Sequence, residues 1–184
     1  MTCRHLWILL ACALLLGCTP APAQDAPPAI TGVQDLLLTA QDLAQLAMTT
    51  NGSDCVPETY ETSEFSPLAQ YSMCAYEIPD IDTEVIIELK RFTNLADLNG
   101  SYQYDSSHYY SVDGLISENT YGDQSRFRVN SVNDYGGEFN DPEMHYYHLW
   151  ITKGTYLIHI TSSGRVDARA QIASIGQLLM AKFG

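Results

Sequence analysis

The sequence predicts an α+β fold, an antiparallel β-sheet flanked by helices on both faces. Three observations carry that expectation. Residues 144–161 read as a β-hairpin that is apolar on both sides. The elements run helix, hairpin, helix, strand, hairpin, helix, an order that suits an antiparallel sheet with helices available for each face. Near the C-terminus, Ile172, Ile175, Leu179 and Phe183 fall on one face of a helix over 165–182.

The hairpin is the centre of the reading. Two runs rich in aromatic and β-branched residues flank Lys153-Gly154, and glycine supplies the positive φ that a tight turn needs. With those two residues as the loop, Thr152 faces Thr155, Trp150 faces Leu157 and His148 faces His159. One face then carries Tyr147, Leu149, Ile151, Tyr156, Ile158 and Ile160, the other Tyr146, His148, Trp150, Leu157 and His159. Two apolar faces place the hairpin mid-sheet, with cover on each side.

The remaining elements follow in order. After the apolar run Leu36-Leu37-Leu38, Thr39 caps a short helix with Asp42 three residues on, and Asn51-Gly52-Ser53-Asp54 turns. A strand over 68–78, a turn at 79–82 and a strand over 83–89 make a first hairpin. Asn94 caps a helix carrying Leu95, Leu98 and Tyr102 on one face, weakened by Gly100. His108 to Gly114 reads as a loop, Leu115-Ile116 as a short strand, 121–123 as a turn and 125–132 as a strand. Asn133 to Glu143 is a glycine-rich acidic loop, and Ser163-Gly164 opens the final helix.

The N-terminus stands apart. Arg4 and His5 precede the apolar run 6–16, which is too short to span a bilayer. It ends in Leu15-Leu16-Gly17-Cys18, so residues 1–17 read as a secretory signal, an ordinary one being the plainer alternative. The Leu-Leu-Gly-Cys run resembles the lipobox of bacterial-type lipoproteins, which implies lipidation of Cys18 and a membrane anchor made of acyl chains. Thr19 after Cys18 resembles the class sent to the outer membrane, so the expected location is that membrane or the outer face of the cytoplasmic one. Residues 18–32, with Pro20, Pro22, Pro27 and Pro28, read as an Ala/Pro-rich tether, and 33–184 as a single domain.

The full chain has 9 Lys+Arg and 22 Asp+Glu for a net charge of −13, and losing Arg4 with the signal takes it to −14. Such a surface repels phosphate backbones, which argues against nucleic acid and favours cationic partners or divalent ions. Cys3 and Cys12 leave with the signal. Cys55 and Cys74 remain, an even pair in an exported chain, and a disulfide is the default inference beside two buried thiols or a redox pair.

Three segments bring a family into view. They are Glu84 to Phe92 followed by a capped helix, the turn Tyr121-Gly-Asp-Gln-Ser125 before a strand, and His148 to Ile160 with its Lys-Gly turn before a terminal amphipathic helix. Leu36 to Leu43 is similar to the opening segment of some lipoproteins of the same group. Together they resemble the PsbP-like (Mog/PsbP) domain in a bacterial or archaeal lipoprotein. The resemblance implies an α/β/α sandwich over most of 33–184 and a non-enzymatic accessory, assembly or binding role with a protein partner. No photosystem-docking or GTPase-binding residue of that family matches here.

Candidates for chemistry remain. Asp134, Glu138, Asp141 and Glu143 lie in the acidic loop, and hard cations such as calcium take several oxygen ligands at loose spacing. A solvated loop explains the same residues. His145, His148 and His159 are potential zinc or copper ligands, or core histidines satisfied by hydrogen bonds. For the His148–His159 pair the expected state is neutral and hydrogen-bonded under a helix. Ser162 and Ser163 follow a strand without the Gly-x-Ser-x-Gly elbow of a hydrolase, and a helix cap is their simpler role. Asn51 and Asn99 sit in glycosylation sequons that matter only in a host that modifies them. Tyr102, Tyr104, Tyr109, Tyr110, Tyr146 and Tyr147 could line a groove or be half-buried packing residues. The reading is a membrane-anchored binding or accessory module without a required cofactor; the alternatives are a metal- or small-ligand-binding protein using the acidic loop or the histidine pair, and a hydrolase.

Overall fold

The structure is a computed structural model that describes residues 29–52, 55–58, 68–107, 114–130 and 143–184. Residues 1–28, which include Cys18 and most of the stretch expected to be a tether, lie outside the described residues. So do Asp134, Glu138, Asp141, Tyr109 and Tyr110.

Among the described residues, eight strands form one antiparallel sheet. They are β1 (Thr49–Thr50), β2 (Val56–Glu58), β3 (Leu68–Ile78), β4 (Thr83–Phe92), β5 (Leu115–Glu118), β6 (Gln124–Asn130), β7 (His145–Lys153) and β8 (Tyr156–Gly164). Their order is β1-β3-β4-β8-β7-β6-β5, with β2 also paired to β3, so β1 and β2 share one edge. The two hairpins β3–β4 and β7–β8 meet at β4–β8 in the middle of the sheet. The hairpin at 144–161 is therefore mid-sheet, as its two apolar faces require.

Strand alternation separates two cores. On one face Val85, Ile87, Leu89, Leu149, Ile151, Ile158 and Ile160 pack with Ile172, Ile175 and Leu179 of α3 (Arg169–Ala181). The short helix α1 (Ala40–Leu46) joins this side through Lys182, whose Nζ donates to Asp42 Oδ2 at 2.8 Å. On the opposite face Phe92, Trp150 and Leu157 pack with Leu98 and Tyr102 of α2 (Leu95–Ser107). The expected arrangement, a sheet with helices on both faces, is the one observed. The caps are also as expected. Thr39 and Asp42 make a reciprocal capping box, and Asn94 Oδ1 accepts from the Asp97 amide at 3.0 Å.

Two local expectations are corrected. The β7–β8 loop is Gly154-Thr155, not Lys153-Gly154: Lys153 pairs with Tyr156, Trp150 with His159, and His148 with Thr161. The backbone explains the shift. Gly154 has φ 57°, and among described non-glycine residues only Ala47, Asp82 and Asn119 have positive φ. A two-residue turn with glycine first needs positive φ at glycine alone, whereas the type I′ turn places both loop residues there, which strains Lys153. The slip is two residues, so every side chain keeps its face. Second, Ser163-Gly164 does not open the last helix. Both residues end β8, where Ser163 pairs with Glu84 and Tyr146, and α3 starts only at Arg169, whose amide donates to Asp167 Oδ1 at 2.9 Å.

Candidate functional site

The face of the sheet that carries α2 also carries a row of polar side chains, one or two from each central strand. β3 contributes Tyr71, β4 Glu88 and Lys90, β8 His159, β7 His148 and Trp150, and β6 Arg126 and Arg128. Each lies on this face because it is out of phase with the buried Val85-Ile87-Leu89 and Leu149-Ile151 sets.

The row is connected. Tyr71 Oη donates to Glu88 Oε1 at 2.9 Å. Glu88 Oε2 lies 3.0 Å from His159 Nδ1, and His159 Nε2 lies 3.3 Å from His148 Nδ1. With Glu88 ionised, His159 Nδ1 carries the donor hydrogen, and one further hydrogen is shared between the two imidazoles. Lys90 Nζ lies 3.7 Å from Glu88 and 3.8 Å from Asp105 of α2. Arg128 Nε donates to the Ser106 carbonyl at 3.1 Å. Trp150 floors the pair: its ring lies 4.6 Å from that of His159 and 5.3 Å from that of His148, at interplanar angles of 9° and 11°.

Electrostatics follow from this packing. Burial works to raise the Glu88 carboxyl. The His159 hydrogen bond, the charges of Lys90 and His159 and the Tyr71 hydroxyl outweigh it and hold the group at about 2. Burial pushes the His148 imidazole down to about 3, and the positive charge available to His159 acts in the same direction. Glu88 is therefore an anion and His148 a neutral ring at neutral pH.

The other sequence candidates disperse. His145 sits on the opposite face from the pair and stacks on Tyr147 at 6.3 Å. Glu143 is exposed and pairs with Arg165. Ser162 is buried on the α3 face, away from His148 and His159, whereas Ser163 alternates onto their face at the end of β8. Tyr102, on α2, is buried against the sheet, whereas Tyr147 points to the other core and donates to Asp167 Oδ1 at 2.6 Å. Burial, with the Asp167 carboxylate behind it, pushes that phenol up to about 12. These two tyrosines share no groove. Cys55 and Cys74 are joined by a disulfide with Cα atoms 4.4 Å apart. Among the described residues no group of three or more His, Cys, Asp or Glu converges as a metal cage.

Sequence reasoning missed Tyr71, Glu88 and Lys90. The alternation in Glu84-Val-Ile-Ile-Glu-Leu-Lys90 was the available signal, since it puts Glu84, Glu88 and Lys90 on one side of a half-buried strand. The adjacency of β4 and β8, which delivers Glu88 to His159, has no local signature.

No family model and no curated protein matches the chain. Among solved structures, the extracellular domain of PknH from Mycobacterium tuberculosis superposes with a TM-score of 0.51 at 9% identity, over 86% of this chain and 98% of that one. At that identity the likeness is one of fold: a sheet flanked by helices. Among the described residues no helix is long and apolar enough to cross a membrane.

Proposed function

We propose that this chain is an exported lipoprotein, anchored through acyl chains on Cys18, whose folded domain is a non-enzymatic binding or accessory module. The observation that carries the reading is Leu15-Leu16-Gly17-Cys18 at the end of an apolar run too short to span a bilayer. The Cys55–Cys74 disulfide supports it, because such bonds persist outside the reducing cytosol. The α2 face supports the binding role. It combines an anion, a neutral imidazole, cations and a large aromatic ring. A net charge of −13 disfavours nucleic acid as the partner. The resemblance to PsbP-like domains points the same way, toward an accessory protein that works on a protein partner.

Cys18→Ser tests the anchor. The variant should leave the membrane fraction for the soluble one while keeping its fold, and intact-mass measurement of the wild type should show the added acyl groups. Wild-type protein with a free Cys18 thiol and unchanged fractionation of the variant overturns the reading. Crosslinking in the native membrane then identifies the partner.

A further inference from the structure

The polar row ends in two ring nitrogens whose spacing carries chemical information. His148 Nδ1 and His159 Nε2 are 3.3 Å apart. Two nitrogens bound to one tetrahedral zinc ion, at about 2.0–2.1 Å each, are separated by the tetrahedron edge, about 3.3–3.4 Å. The cis edge of a square-planar or octahedral centre with similar bonds is about 2.9 Å, and the ends of a linear one lie about 4 Å apart. The observed distance falls on the tetrahedral value.

The surroundings match what a zinc-binding imidazole needs. Glu88 Oε2 sits behind His159 at Nδ1, 3.0 Å away. A carboxylate there fixes the hydrogen on Nδ1 and leaves the Nε2 lone pair facing His148 Nδ1, the usual support behind a metal-binding histidine. Tyr71 Oη holds the other oxygen of Glu88 at 2.9 Å, so the support is itself oriented. Trp150 stacks on both imidazoles and limits their rotation. The side chains of His159 and Glu88 are 15% and 23% exposed, which gives an ion a route from solvent.

We infer that His148 and His159 form a two-nitrogen zinc site, with His159 seated on Glu88 and the two remaining tetrahedral positions left to water or to a donor atom of a ligand. Zinc takes the place of the hydrogen shared between the two nitrogens, and that hydrogen moves to His148 Nε2, so both rings stay neutral ligands. Among the described residues no third His, Cys, Asp or Glu converges on the pair. The inference stands apart from lipid anchoring: either can fail while the other holds.

The test uses the full chain in detergent at neutral pH. Titration with zinc sulfate should show one equivalent bound, and cobalt(II) should give the intense visible bands of a tetrahedral centre rather than the faint ones of an octahedral ion. His148→Gln and His159→Gln should abolish the cobalt spectrum, and Glu88→Gln should weaken zinc binding about tenfold or more. Circular dichroism checks the fold of each variant. If a histidine variant does not fold, Glu88→Gln carries the comparison, because it keeps the side-chain shape. Wild-type protein without heat or spectrum up to about millimolar metal overturns the site. So does zinc binding that is unchanged in the folded variants, which assigns the ion to the acidic surface.

Discussion

His148 and His159 lie diagonally across the β7–β8 ladder, not opposite one another, yet their ring nitrogens approach to 3.3 Å. Trp150, the direct partner of His159, fills the space between the two backbones and stacks on both rings. This packing has a pH consequence. The unfolded imidazole of His148 takes a proton near 6.5, and the folded one resists until about 3. Between those values the unfolded state binds more protons, so stability falls as pH falls through that window. Glu88 acts in the same direction lower down. Its ordinary value is 4.5 and its folded value about 2, so its contribution is present above 4.5 and lost toward 2. The melting temperature should therefore drop from about pH 7 to about pH 5, and less so in His148→Gln. NMR should show the His148 ring signals unmoved over that range. A His148 ring that titrates near its ordinary value refutes the buried neutral state.

The Cys55–Cys74 bridge closes a loop across a sequence separation of 19. A loop of that length restrains the unfolded chain by about 3 kcal/mol. Cys74 is buried beneath the edge where β1 and β2 both pair with β3, so the bond also ties that edge to the core. Cys55→Ala with Cys74→Ala should lower the melting temperature by about 6–12 °C for a domain of this size. Reduction of the wild type should reproduce the loss. A double variant as stable as the wild type would show that the strand pairing holds that edge without the bond.

Periodicity made most of the fold legible. The faces of β7 and β8, the Ile172-Ile175-Leu179 stripe, the Thr39 and Asn94 caps and the β3–β4 hairpin are local patterns, and each is where the sequence placed it. The hairpin loop was displaced by one residue because Lys153-Gly154 and Gly154-Thr155 offer the same glycine to two turn types. Only the strain of a positive φ at lysine separates them. The end of β8 was misplaced because Ser163-Gly164 is locally a helix start, and the ladder partners Glu84 and Tyr146 that keep it extended are distant in sequence. The site was half visible. His148 and His159 share a face by alternation alone, but Glu88 reaches His159 only because β4 pairs with β8, a long-range choice among strand orders.

Asp42 serves two elements at once. Its Oδ2 accepts from the Thr39 amide at 2.8 Å, which completes the capping box of α1. The same oxygen receives Lys182 Nζ at 2.8 Å from the turn that follows α3, and Lys182 also donates to the Leu37 carbonyl at 3.1 Å. Thr39→Ala removes one cap contact and should cost about 1 kcal/mol. Asp42→Ala removes the reciprocal contact and the partner of a largely buried ammonium, with side chains 18% exposed on both sides. It should cost more, about 2 kcal/mol. Urea unfolding of the two variants checks the order. Equal costs would mean that Lys182 finds water without loss when Asp42 is gone.

The turn at 121–123 is bound to the end of the central hairpin, and glycine is required there by space as well as by conformation. Gly122 has φ +57°, and a Cβ at that position would lie 2.3 Å from the Thr152 carbonyl oxygen and 2.8 Å from Ile151 Cγ2. The carbonyl cannot move aside, because it accepts from the Asp123 amide at 2.8 Å and belongs to a strand paired on both sides. Asp123 adds a polar clasp: Oδ2 accepts from the Gly154 amide at 2.8 Å and Oδ1 from Lys153 Nζ at 3.0 Å. The clasp is solvent-exposed, so Asp123→Ala should cost only about 1 kcal/mol. Gly122→Ala combines a left-handed backbone with a backbone clash and should cost about 2–4 kcal/mol. The ordering decides between the two contributions. If Asp123→Ala proves the more damaging in urea unfolding, the hairpin is held by the carboxylate and the close approach at Gly122 is slack. If Gly122→Ala dominates, steric fit between the turn and β7 fixes how the β5–β6 edge joins the sheet.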